Sequence, residues 1–129
     1  MNLFDDADLV FSYSRREALE DGVLVDVTET ARDAGFRYPV AVTRTVWEQI
    51  IEPDEASRAS GQSAEGRLWD VLWMLRIAIR RCPRHTDTLH YQLLVVQEGQ
   101  TASLVTLKSV CGPDDDGSLC VTIMLPEED

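Results

Sequence analysis

EGRLWDVLWMLRIAIRR, residues 65–81, is the stretch on which the fold turns. Leu68, Leu72, Leu75 and Ile79 recur at helical spacing, and Trp69, Trp73 and Ile77 fall on the adjoining face. The resulting apolar arc is wider than a surface helix needs. It is therefore expected to form the spine of the core, with both tryptophans inside it. Cys82-Pro83 ends the helix, because proline cannot supply the backbone N–H that a further turn requires.

Downstream the period changes from 3.6 to 2. Residues 91–97, 102–110 and 119–125 read as strands: Leu104 and Thr106 alternate with Val105 and Leu107, and Val121, Ile123 and Leu125 with Thr122 and Met124. Glu98-Gly99-Gln100-Thr101 is a tight hairpin connection and 112–118 a longer acidic one. Upstream, Ser14 followed by Glu17 forms a capping box for a helix over 15–20 that stops at Asp21-Gly22. A short β-branched strand follows at 23–27. Thr28 is expected to cap a helix over 29–34 that Gly35 closes, and Thr43 one over 44–51 that Pro53 follows. Val40-Ala41-Val42 is an extended lead-in, and the polar run 52–63 reads as a loop. The expected fold is thus a single α+β domain over 1–129: N-terminal short helices and a strand, a central amphipathic-to-buried helix, and a C-terminal three-stranded antiparallel meander under it.

The 129 residues carry 23 Asp and Glu against 12 Lys and Arg, a net charge of −11, with a pI near 4.5. Such a balance excludes a protein that coats nucleic acid through a global positive field, and it argues against electrostatic docking on an anionic membrane. The charge is uneven. Residues 1–62 hold 13 acids and 6 bases, 63–85 hold Glu65 and Asp70 against five arginines, and 86–129 hold 8 acids against Lys108 alone. Two blocks of −7 therefore flank a +3 segment. The acidic N-terminus MNLFDDADLVF lacks the basic n-region of a secretory signal, and no apolar run reaches the length of a membrane span. Cys82, Cys111 and Cys120, an odd and unpaired set, fit reduced thiols in a cytoplasm.

Recognisable chemistry is sparse. Cys82, His85, His90, Cys111 and Cys120 could surround zinc only if distant loops converged, since no close ligand pair occurs in the second half. There is no GxSxG, GxGxxG or GxxxxGK[ST], and Pro113-Asp114-Asp115-Asp116-Gly117 lacks the terminal glutamate of an EF-hand loop. Neither a catalytic residue, a metal nor a cofactor is expected; a metal-assisted nuclease or hydrolase using Cys82, His85, His90 or scattered carboxylates is the remaining enzymatic alternative. Arg76, Arg80 and Arg84 line up at i, i+4 and i+8 beside Arg81, and are expected to pair with the protein's own carboxylates. That leaves the acidity, which presents a basic partner with a field resembling that of nucleic-acid phosphates. The clusters Glu52/Asp54/Glu55 and Asp114/Asp115/Asp116 are the candidate partner-binding residues, with Asp5/Asp6/Asp8, Glu17/Glu20/Asp21 and Glu127/Glu128/Asp129 as further members of such a surface.

Three strings, DGVLVDVTETARDAGFRYPVAVT at 21–43, GRLWDVLWMLRIAIRR at 66–81 and LKSVCGPDDDGSLCVTIMLPEED at 107–129, resemble a small uncharacterised family carried by bacterial plasmids, phages and integrated elements. The resemblance extends over 11–129 and departs at 115–120, where the family pattern implies a proline before the last strand. It transfers no catalytic or ligand residue. By analogy with small acidic proteins of such elements it implies an anti-defence binding protein, of anti-CRISPR or anti-restriction type, acting on a host complex with a basic surface and without direct nucleic-acid contact. The alternative is an accessory protein that works through a protein partner or by self-association, for which the strand at 119–125 would be the pairing edge.

Overall fold

The computed structural model describes residues 14–83, 86–96 and 102–128. The hairpin connection at 98–101, Arg84, His85, Asp129 and the Asp5/Asp6/Asp8 cluster lie outside the described residues.

In chain order the elements are α1 (Arg15–Glu20), β1 (Leu24–Asp26), α2 (Thr28–Asp33), β2 (Val40–Thr43), α3 (Arg44–Val46) running into a π-helical turn (Trp47–Ile51), α4 (Glu55–Ala59), α5 (Ala64–Arg81), β3 (Thr88–Val95), β4 (Ser103–Pro113) and β5 (Leu119–Met124). Half of the expected capping box is present: the Ser14 hydroxyl accepts from the Glu17 N–H, while the Glu17 carboxylate accepts from that same hydroxyl instead of from the Ser14 N–H. Thr43 caps α3 in the same way through the Val46 N–H, and Ser63 caps α5 through the Gly66 N–H. Thr28, by contrast, is no cap; its hydroxyl donates to Asp26 and its helix starts one residue earlier than expected.

The expected layout does not hold. All five strands form one mixed sheet in the order β1-β2-β5-β4-β3, so the fold is α+β around a five-stranded sheet and not around a three-stranded antiparallel meander. β4 pairs antiparallel with both β3 and β5, but β5 also pairs in parallel with β2, through Val40 opposite Val121 and Val42 opposite Ile123. β1 completes the sheet beside β2. The reason lies in Val40-Ala41-Val42, which is buried throughout and so lacks the in-out alternation that marks a half-solvated strand. Consequently β5 is an interior strand and cannot be a pairing edge; the outer strands are β1 and β3.

One face of the sheet is covered by α5, α2 and the π-helical turn. There Leu68, Val71, Leu72 and Leu75 meet Tyr91, Leu93, Leu107, Ile123, Val40 and Val42. The Tyr91 hydroxyl donates to the Val71 carbonyl at 3.0 Å, satisfying a polar group that would otherwise be buried without a partner. Burial also pushes that phenol above its ordinary range. α1 lies on the opposite face, where the Arg15 guanidinium donates to the Thr122 hydroxyl and the Val121 carbonyl of β5.

Two further expectations are corrected. Trp69 and Trp73 are not in the core: they are 39% and 41% exposed and stack on each other on the outer side of α5, with ring centroids 5.9 Å apart. The broad apolar arc has room for only one side against the sheet, and the leucine side takes it. The run 52–63 is not all loop, because Asp54 accepts from the Ser57 N–H and starts α4, with Ser57 fully buried beneath it.

Candidate functional site

The two acidic clusters sit at opposite ends of the sheet. Glu52, Asp54 and Glu55 follow the π-helical turn, which Arg67 ties to the end of β3 by donating to both the Ile50 and Val96 carbonyls. Asp114, Asp115 and Asp116 form the turn between β4 and β5 at the other end. The structure therefore brings together the members of each cluster and does not join the two.

Within each cluster the carboxylates differ in what they do. Asp54 is an N-cap. Glu52 lies 3.7 Å from the Arg58 guanidinium, and Glu55 is exposed in the first turn of α4. Asp115 reaches back to α1, where its two oxygens accept from the Arg15 and Arg16 N–H groups at 3.0 Å each; it caps a helix about a hundred positions away in the chain. Asp114 accepts from the Asp115 N–H and is half-buried. Asp116 accepts from the Ser118 N–H at 2.9 Å, and that hydrogen bond, supported by the Ser118 side chain, holds its carboxyl below the ordinary range. Asp54 and Asp115 thus hold structure, whereas Glu55 and Asp116 stand in solvent.

The arginine segment behaves contrary to expectation. Arg76 pairs with no carboxylate among the described residues. Its Nη1 donates to the Ala34 carbonyl at 2.9 Å and its guanidinium carbon stands 5.4 Å from the centroid of the Trp73 ring. Arg80 and Arg81 carry no ion pair among the described residues, whose ion pairs are Arg16–Glu20, Arg44–Glu48 and Arg58–Glu52. The C-terminal half of α5, the loop after α2 and the adjoining ends of β3, β4 and β5 enclose a cleft of about 1100 Å³ lined by Arg37, Arg76 and Arg80 together with apolar side chains. Sequence reasoning missed this cleft. The only signal was the arginine spacing itself, and Arg37 comes from a loop far from α5 in the chain.

The thiols and histidines do not assemble. Cys82 and Cys111 both line the cleft, but Cys120 belongs to the opposite face of the sheet beside Arg15, Thr122 and Met124. Burial raises the Cys120 thiol above its ordinary value. His90 is exposed on β3 opposite Lys108, and His85 lies outside the described residues. Among the described residues no three His, Cys, Asp or Glu side chains are grouped so as to hold a metal ion. Nor is any helix among them long and apolar enough to cross a membrane.

Comparison with curated proteins and with solved structures found no match. Comparison with protein families found one along the whole length: residues 1–129 match DUF6573, a family of unknown function, and the chain belongs to that family.

Proposed function

We propose that this chain is a non-enzymatic binding protein that engages a basic surface of a protein partner. We further propose that it serves a plasmid or phage against a host defence complex, in the manner of an anti-CRISPR or anti-restriction inhibitor. The observation that carries the binding reading is the charge balance, 23 Asp and Glu against 12 Lys and Arg, which leaves a net −11 however the charges pair within the chain. The ion pairs among the described residues are all exposed and all join residues close in the chain. Such neutral, exposed pairs leave the net −11 untouched, and that charge is available to steer and hold a cationic surface. The mobile-element setting rests on the resemblance of the strings at 21–43, 66–81 and 107–129.

The test is binding of the purified chain to Cascade-type complexes and restriction endonucleases at low and high salt. Capture at low salt that falls steeply as ionic strength rises is expected. Glu52→Gln and Glu55→Gln at one end, and Asp114→Asn and Asp116→Asn at the other, show which cluster makes the contact. Asp54 and Asp115 are left alone because replacing them removes helix caps. No capture at low salt, or capture indifferent to salt, overturns the reading.

A second reading, self-association, is favoured by one feature. β3 is an eight-residue outer strand, and Leu94 on it and its cross-strand neighbour Leu104 are 65% and 61% exposed. An outer strand with an apolar pair is a pairing surface. Light scattering after size exclusion separates the two: a dimer that Leu94→Lys dissociates supports strand pairing, and a monomer removes it.

A further inference from the structure

The arginine-lined cleft carries an inference independent of the acidic surface. At about 1100 Å³ it is slightly larger than the usual small-molecule site of roughly 300–1,000 Å³. Phe36, Ile79 and Leu119 give it apolar walls. Ser109, on β4, is only 6% exposed and lines the same space, where its hydroxyl adds a polar group to the wall.

The cations are arranged to leave charge free. Arg76 is locked between the Ala34 carbonyl and the Trp73 ring. The loop bends around it at Gly35, whose φ of +103° suits glycine, and a Cβ there would lie 2.6 Å from Arg76 Nη1 and push the guanidinium aside. Arg37 and Arg80 are exposed and carry no ion pair among the described residues. Against these three guanidinium groups stand Asp87 at the rim and the carboxyl end of α5, worth about half a negative charge. The local balance is positive inside a protein whose overall charge is −11.

We propose that this cleft binds a small amphipathic carboxylate, its head group held by Arg37, Arg76 and Arg80, its apolar body against Phe36, Ile79 and Leu119, and the Ser109 hydroxyl bonded to the ligand. The test is calorimetric titration of the full-length chain with decanoate, decanol and acetate, which separate charge with chain, chain alone and charge alone. Decanoate is expected to bind at one site, with decanol and acetate at least about tenfold weaker, since hydrogen bonds to a charged group contribute on that order. The double variant Arg37→Gln/Arg80→Gln, at exposed positions where folding is not at stake, is expected to weaken decanoate by about tenfold or more and leave decanol unchanged. Ser109→Leu, which fills the cleft from its wall, should abolish both while the far-UV circular dichroism stays native. Equal affinity for decanoate and decanol, undiminished decanoate binding by the double variant, or no heat at millimolar decanoate overturns the proposal.

Discussion

Leu72 and Trp73 are neighbours in the chain and opposites in the fold. Leu72 is fully buried between α5 and the sheet, whereas Trp73 is half in solvent between Trp69 and Arg76. Leu72→Ala is therefore expected to cost about 3 kcal/mol, the usual toll of a large-to-small change in a packed core. Trp73→Ala, which removes one stacking and one cation–π contact at the surface, should cost about 1 kcal/mol. Urea denaturation of the two variants measures both, and a Trp73 variant as damaged as the Leu72 variant would place the tryptophan in the core after all. At Asp116 the Ser118 N–H stabilises the ionised carboxyl, so its folded pKa lies below that of the unfolded chain. Its contribution to stability is then present above about pH 4, the ordinary aspartate value, and disappears as pH falls through the lowered folded value. Carboxyl-carbon NMR should show Asp116 titrating below about pH 4, and Ser118→Ala should move the midpoint upward without restoring it fully, because the backbone N–H remains. The sequence identified these acids as a cluster. It could not say that Asp115 belongs to a helix start in the N-terminal region, because that partnership is made by the sheet that carries both.

Among the helices, legibility followed the strength of the local signal. Ser14 with Glu17, Thr43 before Arg44, and Cys82-Pro83 at the end of α5 all act over a few residues and all stand where the sequence places them. α4 escaped because its five residues sit in a stretch rich in Ser, Asp, Glu and Gly, where composition speaks for a loop; the Asp54 cap and the buried Ser57 decide otherwise. The helix begun by Thr43 is regular only through Val46, after which the Glu52 N–H reaches back to the Trp47 carbonyl, a π-type bond that puts Val46, Ile50 and Ile51 together in the core. Arg67 secures this turn. It is 5% exposed, donates to the Ile50 and Val96 carbonyls, and its Nε has no hydrogen-bond partner among the described residues. Arg67→Ala should cost about 3 kcal/mol or more, because two buried carbonyls lose their donor and a cavity opens. Arg67→Met, which keeps the volume and removes a buried charge with no counter-ion among the described residues, should cost clearly less. Thermal denaturation of the pair reads the difference, and hydrogen exchange at Glu52 reports whether the π-helical turn loosens with it.

For the molecule as a whole, the decisive pairing is β2 with β5. It joins Val42 to Ile123 in parallel and makes β5 an interior strand, so the last third of the chain is not a sheet in its own right. A fragment of residues 63–129, which contains α5 and β3 to β5 but neither β2 nor the π-helical turn, is expected to show no cooperative melting transition by circular dichroism; a sharp two-state melt would mean that β2 is dispensable. Charge obeys the same division between near and far. The three ion pairs of the described residues connect positions four to six apart, which leaves Glu55 and Asp116 facing solvent and Arg76 and Arg80 turned to a carbonyl, an aromatic ring and a cleft. What the sequence by itself determined is therefore local: the capped helix starts, the long helix and its end, the three C-terminal strand regions, and an acidity divided into two blocks around a basic helix. Strand order, the side of α5 that faces inward, the separation of the two acidic clusters and the convergence of Arg37 with Arg76 and Arg80 were decided only by the tertiary structure. Caps and periods act between residues a few positions apart, whereas a central strand and a cleft exist only once segments some eighty residues apart have been brought side by side.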